Sequence, residues 1–124
     1  LIREKVRNPD MYANLICTKI KSRDTRRIFA SKLVVESRGK EKAVSPKGAL
    51  GPWQVMPRWC KVFKTKRSDL KLPSKNLDIA LKVYNVHLTE AKGSVWGNKG
   101  AVYRYGGGSL TYVRDIKRGY DECS

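Results

Sequence analysis

The sequence predicts a small, mainly helical domain. Three observations point there. Apolar residues recur at helical spacing through several separate segments, turn-forming residues crowd into one internal stretch, and no strand-like alternation extends beyond that stretch. A chain of 124 residues with 40% hydrophobic content has the size of one domain with a modest single core, and residues 1–124 are read as one unit.

The first helix is expected from Asn8 as cap and Pro9 in the first turn, with Tyr12, Leu15, Ile16 and Ile20 on one face. Asp24 or Thr25 is placed to cap a second helix that runs to about Ser37. Arg38 to Gly51 carries Ser, Pro and Gly at short spacing and reads as a loop or a pair of short extended pieces. A short helix is expected from Pro52 to Pro57, another turn from Arg58 to Phe63, and a basic loop from Lys64 to Lys75. The clearest helix spans roughly Asn76 to Ala91, with Leu77, Ala80, Leu81, Tyr84, Leu88 and Ala91 on one stripe. Lys92-Gly93 ends it. A further helix is expected over Ser94 to Tyr105. After Gly106-Gly107-Gly108, Ser109 opens a last one carrying Leu110, Tyr112, Val113 and Ile116.

Charge narrows the partners. The formal net charge is +16, and the run from Arg58 to Lys75 holds seven Lys or Arg against Asp69 alone. Such a surface attracts polyanions: nucleic acid, anionic headgroups or an acidic wall polymer. No nucleic-acid motif accompanies the charge, so no specific nucleic-acid partner is expected. No apolar run approaches the ~20 residues that span a bilayer. The chain begins at Leu1 with no basic-then-apolar leader in view, the expectation for a processed or trimmed product. Cys17, Cys60 and Cys123 lack the C-x-x-C spacing of a zinc or redox site, and one disulfide or none is compatible with them. His87 is the single histidine, which leaves no histidine-rich metal site. No metal or cofactor is expected.

Glu36 stands out. Phe29, Leu33 and Glu36 fall at i, i+4 and i+7, one face of a helix. A carboxylate on the core-facing stripe is desolvated, which disfavours its charged form and keeps a proton available near neutral pH. The plain alternative is a helix-end carboxylate that pairs with a neighbouring lysine.

The residues after Glu36 decide between them. Glu36-Ser37 leads to Ala43-Val44-Ser45-Pro46-Lys47-Gly48-Ala49-Leu50-Gly51, then Gln54-Val55-Met56-Pro57, and later Arg104-Tyr105-Gly106-Gly107. This series resembles the catalytic domain of the soluble lytic transglycosylases, relatives of goose-type lysozyme that cleave bacterial peptidoglycan. The resemblance covers about residues 28–113. It implies a lysozyme-like, mainly α (α+β) fold with a saccharide groove and at most a minor β element after the catalytic helix. It also implies one carboxylic acid, Glu36, that protonates the glycosidic oxygen between N-acetylmuramic acid and N-acetylglucosamine.

The same resemblance assigns the remaining candidates. Ser45 matches a residue that hydrogen-bonds the glycan, and Gln54 and Met56 match groove-lining side chains. Ser37 matches the residue after the acid, where ordering the helix end is the expected role. Trp53 stands where the family carries an aliphatic residue, and either stacks on a sugar ring or fills the core. Tyr105 matches an aromatic beside the acid; a register shifted by two selects Tyr103 instead. Gly106 replaces the Asn that the family places after that Tyr. Gly48 and Gly51 suit tight turns.

Two-carboxylate hydrolysis needs a second acid at a set distance. Glu41, Asp78 and Glu90 are the acids to consider, and none sits in a marked motif. Lysozyme-type hydrolysis therefore stays open beside transglycosylation, as does a binding module that keeps the fold without the activity. The expected partners are peptidoglycan strands, and anionic wall polymers through the basic surface. The expected state is a monomer acting outside the cytoplasm, in the periplasm, at the wall or on a phage virion.

Overall fold

The computed structural model describes residues 5–91. Along them run α1 (Pro9–Lys19), α2 (Arg23–Glu36), α3 (Trp59–Val62) and α4 (Pro73–Ala91), with a 3-10 turn at Arg67–Lys71 ahead of α4. The mainly helical class is the one the sequence predicts. Among the described residues the β content is two isolated antiparallel bridges, Val44 with Leu50 and Leu50 with Val55. Both lie after α2. The helices expected over Ser94–Tyr105 and beyond Ser109 lie outside the described residues.

α1 begins as its sequence dictates, with Pro9 in the first turn, where the missing N–H is no loss. Asn8 caps through its backbone alone: it adopts φ 50° and its side chain makes no cap bond. α2 starts two or three residues earlier than expected. Ser22 is the cap, its hydroxyl accepting from the Thr25 N–H, and Asp24 falls in the first turn, where a carboxylate favours the positive end of the helix.

Two further expectations are corrected. Pro52–Pro57 is not a helix, because Leu50 and Val55 exchange backbone hydrogen bonds of 2.9 Å each way and Gln54 takes a left-handed φ of 52°. These residues make a tight turn between two bridge partners. The long helix opens at Pro73, not Asn76, with Asn76 N–H already donating to Leu72 O at 2.8 Å. Proline at the first helical position is pre-set for that start.

The core forms where α1, α2 and α4 meet around the loop residue Trp53. Tyr12, Phe29, Leu77 and Tyr84 are buried there with it. Tyr12 meets the Trp53 ring edge-on at 5.6 Å and Phe29 meets Tyr84 edge-on at 5.5 Å, a geometry worth about 0.5–1.5 kcal/mol per pair beyond burial. α4 buries a wider face than its stripe implies, since Ile79 and Val83 are also in the core. Lys19 of α1 bonds Asp78 of α4 at 2.7 Å. Asp78 therefore braces two helices and does not serve the first turn of its own.

Candidate active site

Glu36 is the last residue of α2. The helix stops there because Arg38 and Gly39 both take left-handed φ values, 54° and 82°. The N–H groups of Ser37 and Arg38 both return to Leu33 O, at 3.2 and 2.9 Å, so the last carbonyls are partly satisfied. Phe29 and Leu33 on the same face are fully buried, whereas Glu36 is half-buried. Its carboxyl group thus sits at the rim of the core. Burial raises its pKa above the ordinary carboxylate value, and the ammonium of Lys32 opposes that rise. The negative end of the helix also disfavours a carboxylate there.

The turn after Glu36 is held from three sides. Tyr12 of α1 donates its hydroxyl to Gly39 O at 2.7 Å. Ser37 donates its hydroxyl to Pro52 O at 2.7 Å and accepts from Gly39 N–H at 3.0 Å. Arg7 N–H donates to Arg38 O at 2.9 Å. Tyr12 is a residue that periodicity assigns to the core without disclosing the reach of its hydroxyl. Ser37 is buried and turned inward, so its contacts are to the loop, not to a cleft.

The loop from Ala43 to Met56 packs against this turn. Ser45 is half-buried; its hydroxyl accepts from Ala49 N–H at 3.0 Å, and its carbonyl accepts from Gly48 N–H at 2.9 Å. Among the described residues no acceptor takes its hydroxyl hydrogen. Gln54 is likewise half-buried and donates its side-chain amide to Gly51 O at 2.9 Å and Ala43 O at 3.2 Å. Its side-chain carbonyl remains an acceptor. Met56, two residues on, is half-buried.

Trp53 is settled differently. It is 0% exposed, its indole N–H donates to Phe29 O at 2.9 Å, and its ring lies against Tyr12 and Phe29. Of its two readings the core one holds, and sugar stacking is corrected: no face of the ring is open. Tyr103, Tyr105 and Gly106 lie outside the described residues.

One organiser escapes sequence reasoning. Asn76 of α4 is completely buried and serves three backbone groups. It accepts from Trp53 N–H at 2.8 Å and donates to Leu50 O at 2.9 Å and Leu70 O at 2.7 Å. Its one signal in the sequence is a polar residue directly beside the apolar stripe. Gly51 makes the approach possible, since a Cβ there would strike Leu70 O and the Asn76 amide.

Of the three other candidate acids, Asp78 is paired with Lys19. Glu41 is exposed on the turn beyond Gly39. Glu90 lies 3.3 Å from His87 Nδ1, and His87 in turn meets the Trp59 ring edge-on. Near Glu41 a recess of about 440 Å³ carries Arg7, Lys40 and Lys42 on its walls, and Glu36 does not line it. Cys17 is disulfide-bonded and Cys60 is a free thiol; Cys123 lies outside the described residues. Among the described residues no group of His, Cys, Asp and Glu is arranged to hold a metal, and no helix is long and apolar enough to cross a membrane.

The profile of the transglycosylase SLT domain matches residues 19–122. No curated protein and no solved structure matches the chain.

Proposed function

The chain belongs to the transglycosylase SLT domain family, and from that premise we propose that it cleaves peptidoglycan glycan strands without water, with Glu36 as the single acid and base. The observation that carries the proposal is a half-buried carboxyl group at the end of α2, raised in pKa by burial, directly before the loop that bears Ser45, Gln54 and Met56.

In this reading the Glu36 carboxyl proton passes to the oxygen that joins muramic C1 to the next sugar. The C1–O bond breaks, and the departing N-acetylglucosamine leaves as a free hydroxyl. The muramic C6 oxygen bonds to C1 while its proton passes to the Glu36 carboxylate. The acid is restored and the product carries an anhydromuramyl end. General acid–base transfer of this kind contributes about 10²–10⁴ in rate; alignment of the C6 hydroxyl and stabilisation of the cationic sugar supply the remainder.

Ser45 and Gln54 contribute a hydroxyl donor and an amide acceptor to the glycan, and the family resemblance assigns Tyr105 the part of the aromatic partner of the acid. Of the candidate second acids, Asp78 and Glu90 are engaged by Lys19 and His87, which leaves exposed Glu41 as the carboxylate a hydrolase would have to use. Peptidoglycan as substrate places the reaction outside the cytoplasm, and the +16 surface gives the anionic wall a sequence-blind anchor.

The test is mass spectrometry of digested peptidoglycan, with Glu36→Gln alongside. Anhydromuramyl ends that vanish in the folded variant are the expected result. Reducing muramic ends would identify a hydrolase and require a second carboxylate. Products that persist in Glu36→Gln would move the acid elsewhere.

A further inference from the structure

Lysine is almost never fully buried unless something compensates its charge. Lys32 is nonetheless 0% exposed, in the middle of α2 and one helical turn before Glu36. Residues at i and i+4 lie above one another on a helix. The Lys32 ammonium also rests 5.8 Å from the centroid of the Phe29 ring, so its stem and head are directed along the face that carries Phe29, Leu33 and Glu36. A leucine or methionine would satisfy packing at this position, and packing alone does not call for an amine.

We propose that Lys32 is a positioning residue for the acid: from its buried place one turn below Glu36 it stabilises the carboxylate formed when the proton leaves, and so sets the pH range over which Glu36 works. The proposal rests on Glu36 being the acid. Lys32 acts in its ammonium form and passes no proton to the substrate. It favours proton donation to the glycosidic oxygen, and it lowers the pH above which Glu36 has no proton to give.

The neighbouring charges leave this assignment consistent. Glu36 acts on Lys32, and Lys32 acts on Glu36. Burial pushes the Lys32 amine down to about 7, and the Glu36 carboxylate opposes that fall. From α4 the titratable side chain facing the same cluster is Tyr84, across Phe29. Burial holds its phenol up to about 12, so it is neutral over the working range. From α1, Tyr12 gives its hydroxyl to Gly39 O and is neutral too. Among the described residues of this cluster, Lys32 and Glu36 are the two whose ionised forms burial disfavours and whose opposite charges favour each other.

The test compares wild type with Lys32→Met, which keeps the length of the side chain and removes the charge. Two quantities are read: the midpoint of the Glu36 carboxyl by carbon NMR, and the high-pH limb of turnover on soluble glycan chains. Both are expected to move upward together, by about one pH unit, the lower end of what an opposite charge nearby produces. Lys32→Arg, always charged, is expected to hold the limb at or below its wild-type position. An unmoved midpoint in folded Lys32→Met overturns the proposal, as does an unmoved or downward-moving limb. If the arginine variant does not fold, the NMR midpoint of the methionine variant decides alone. Glu36→Gln separates the two levels of failure: persistent cleavage there removes Glu36 from catalysis, while the NMR midpoint still reports whether Lys32 acts on it.

Discussion

Asn76 holds Trp53 in place. The side-chain carbonyl of one, buried in α4, accepts the backbone N–H of the other at 2.8 Å, and the same amide donates to carbonyls on either side, Leu50 and Leu70. Trp53 in turn reaches α2 through its indole N–H to Phe29 O. One polar side chain thus ties the loop after α2 to α4, and Trp53 carries that tie on to α2. Buried amides are effective at such junctions because every group they satisfy would otherwise be left without water.

Asn76→Leu keeps much of the volume and leaves two carbonyls and one N–H without their partner. An unsatisfied buried group costs about 1–3 kcal/mol, so the variant is expected to lose on the order of 3 kcal/mol. Urea unfolding would show this as a lower midpoint. A loss under ~1 kcal/mol would mean that the loop finds another anchor.

Gly48 and Gly51 offer a paired comparison. Both have left-handed backbones, φ 92° and 80°. A Cβ at Gly48 meets nothing within 4 Å, whereas one at Gly51 strikes Leu70 O and Asn76. Gly48→Ala is expected to cost about 1 kcal/mol from conformation alone. Gly51→Ala is expected to cost clearly more, and equal melting temperatures for the two variants would contradict the steric account.

The extent to which the sequence discloses this arrangement depends on the range of each signal. α1, α2 and the stripe of α4 are local patterns of 3.6-residue period, and the face of Phe29, Leu33 and Glu36 can be read directly. The tight turn at Gly51–Gln54 reads as helix because Pro52 and Pro57 resemble helix boundaries, while the deciding bonds join Leu50 to Val55. Lys32 and Asn76 stay hidden for a shared reason. Apolar periodicity counts a polar residue on the buried face as a gap, and only the fold shows that the gap is filled by an amine or an amide with a task. Tyr12 and Gly39 are 27 residues apart, beyond the reach of any spacing rule.

Salt separates anchoring from chemistry. Long-range attraction between a +16 protein and an anionic wall weakens as the screening length falls from ~10 Å at ~0.1 M to ~3 Å at ~1 M salt. Sedimentation with whole walls is expected to lose most of the bound protein over that range. Cleavage of a short neutral glycan is expected to change little. An equal fall in both would place the basic side chains inside the active site.

Stability should carry the mark of the buried pair, and the two groups act in opposite directions. Lys32 titrates lower in the folded chain, at about 7, than in the unfolded chain at about 10.4. Between those values the unfolded state binds more protons, so stability rises with pH. The stability associated with a neutral Lys32 is present above the unfolded value and is lost as pH falls through about 7. Glu36 titrates higher in the folded chain, so its contribution is present below its unfolded value of about 4.3 and is lost as pH rises through the folded one. Melting temperature measured against pH is therefore expected to show wild type gaining on Lys32→Met between pH ~7 and ~10. Below about pH 7, where Lys32 carries its charge in the folded chain, the methionine variant is expected to be the more stable of the two, because it removes an ammonium from the core. Parallel curves for the two proteins would show that Lys32 is as well solvated in the folded chain as in the unfolded one, contrary to its complete burial.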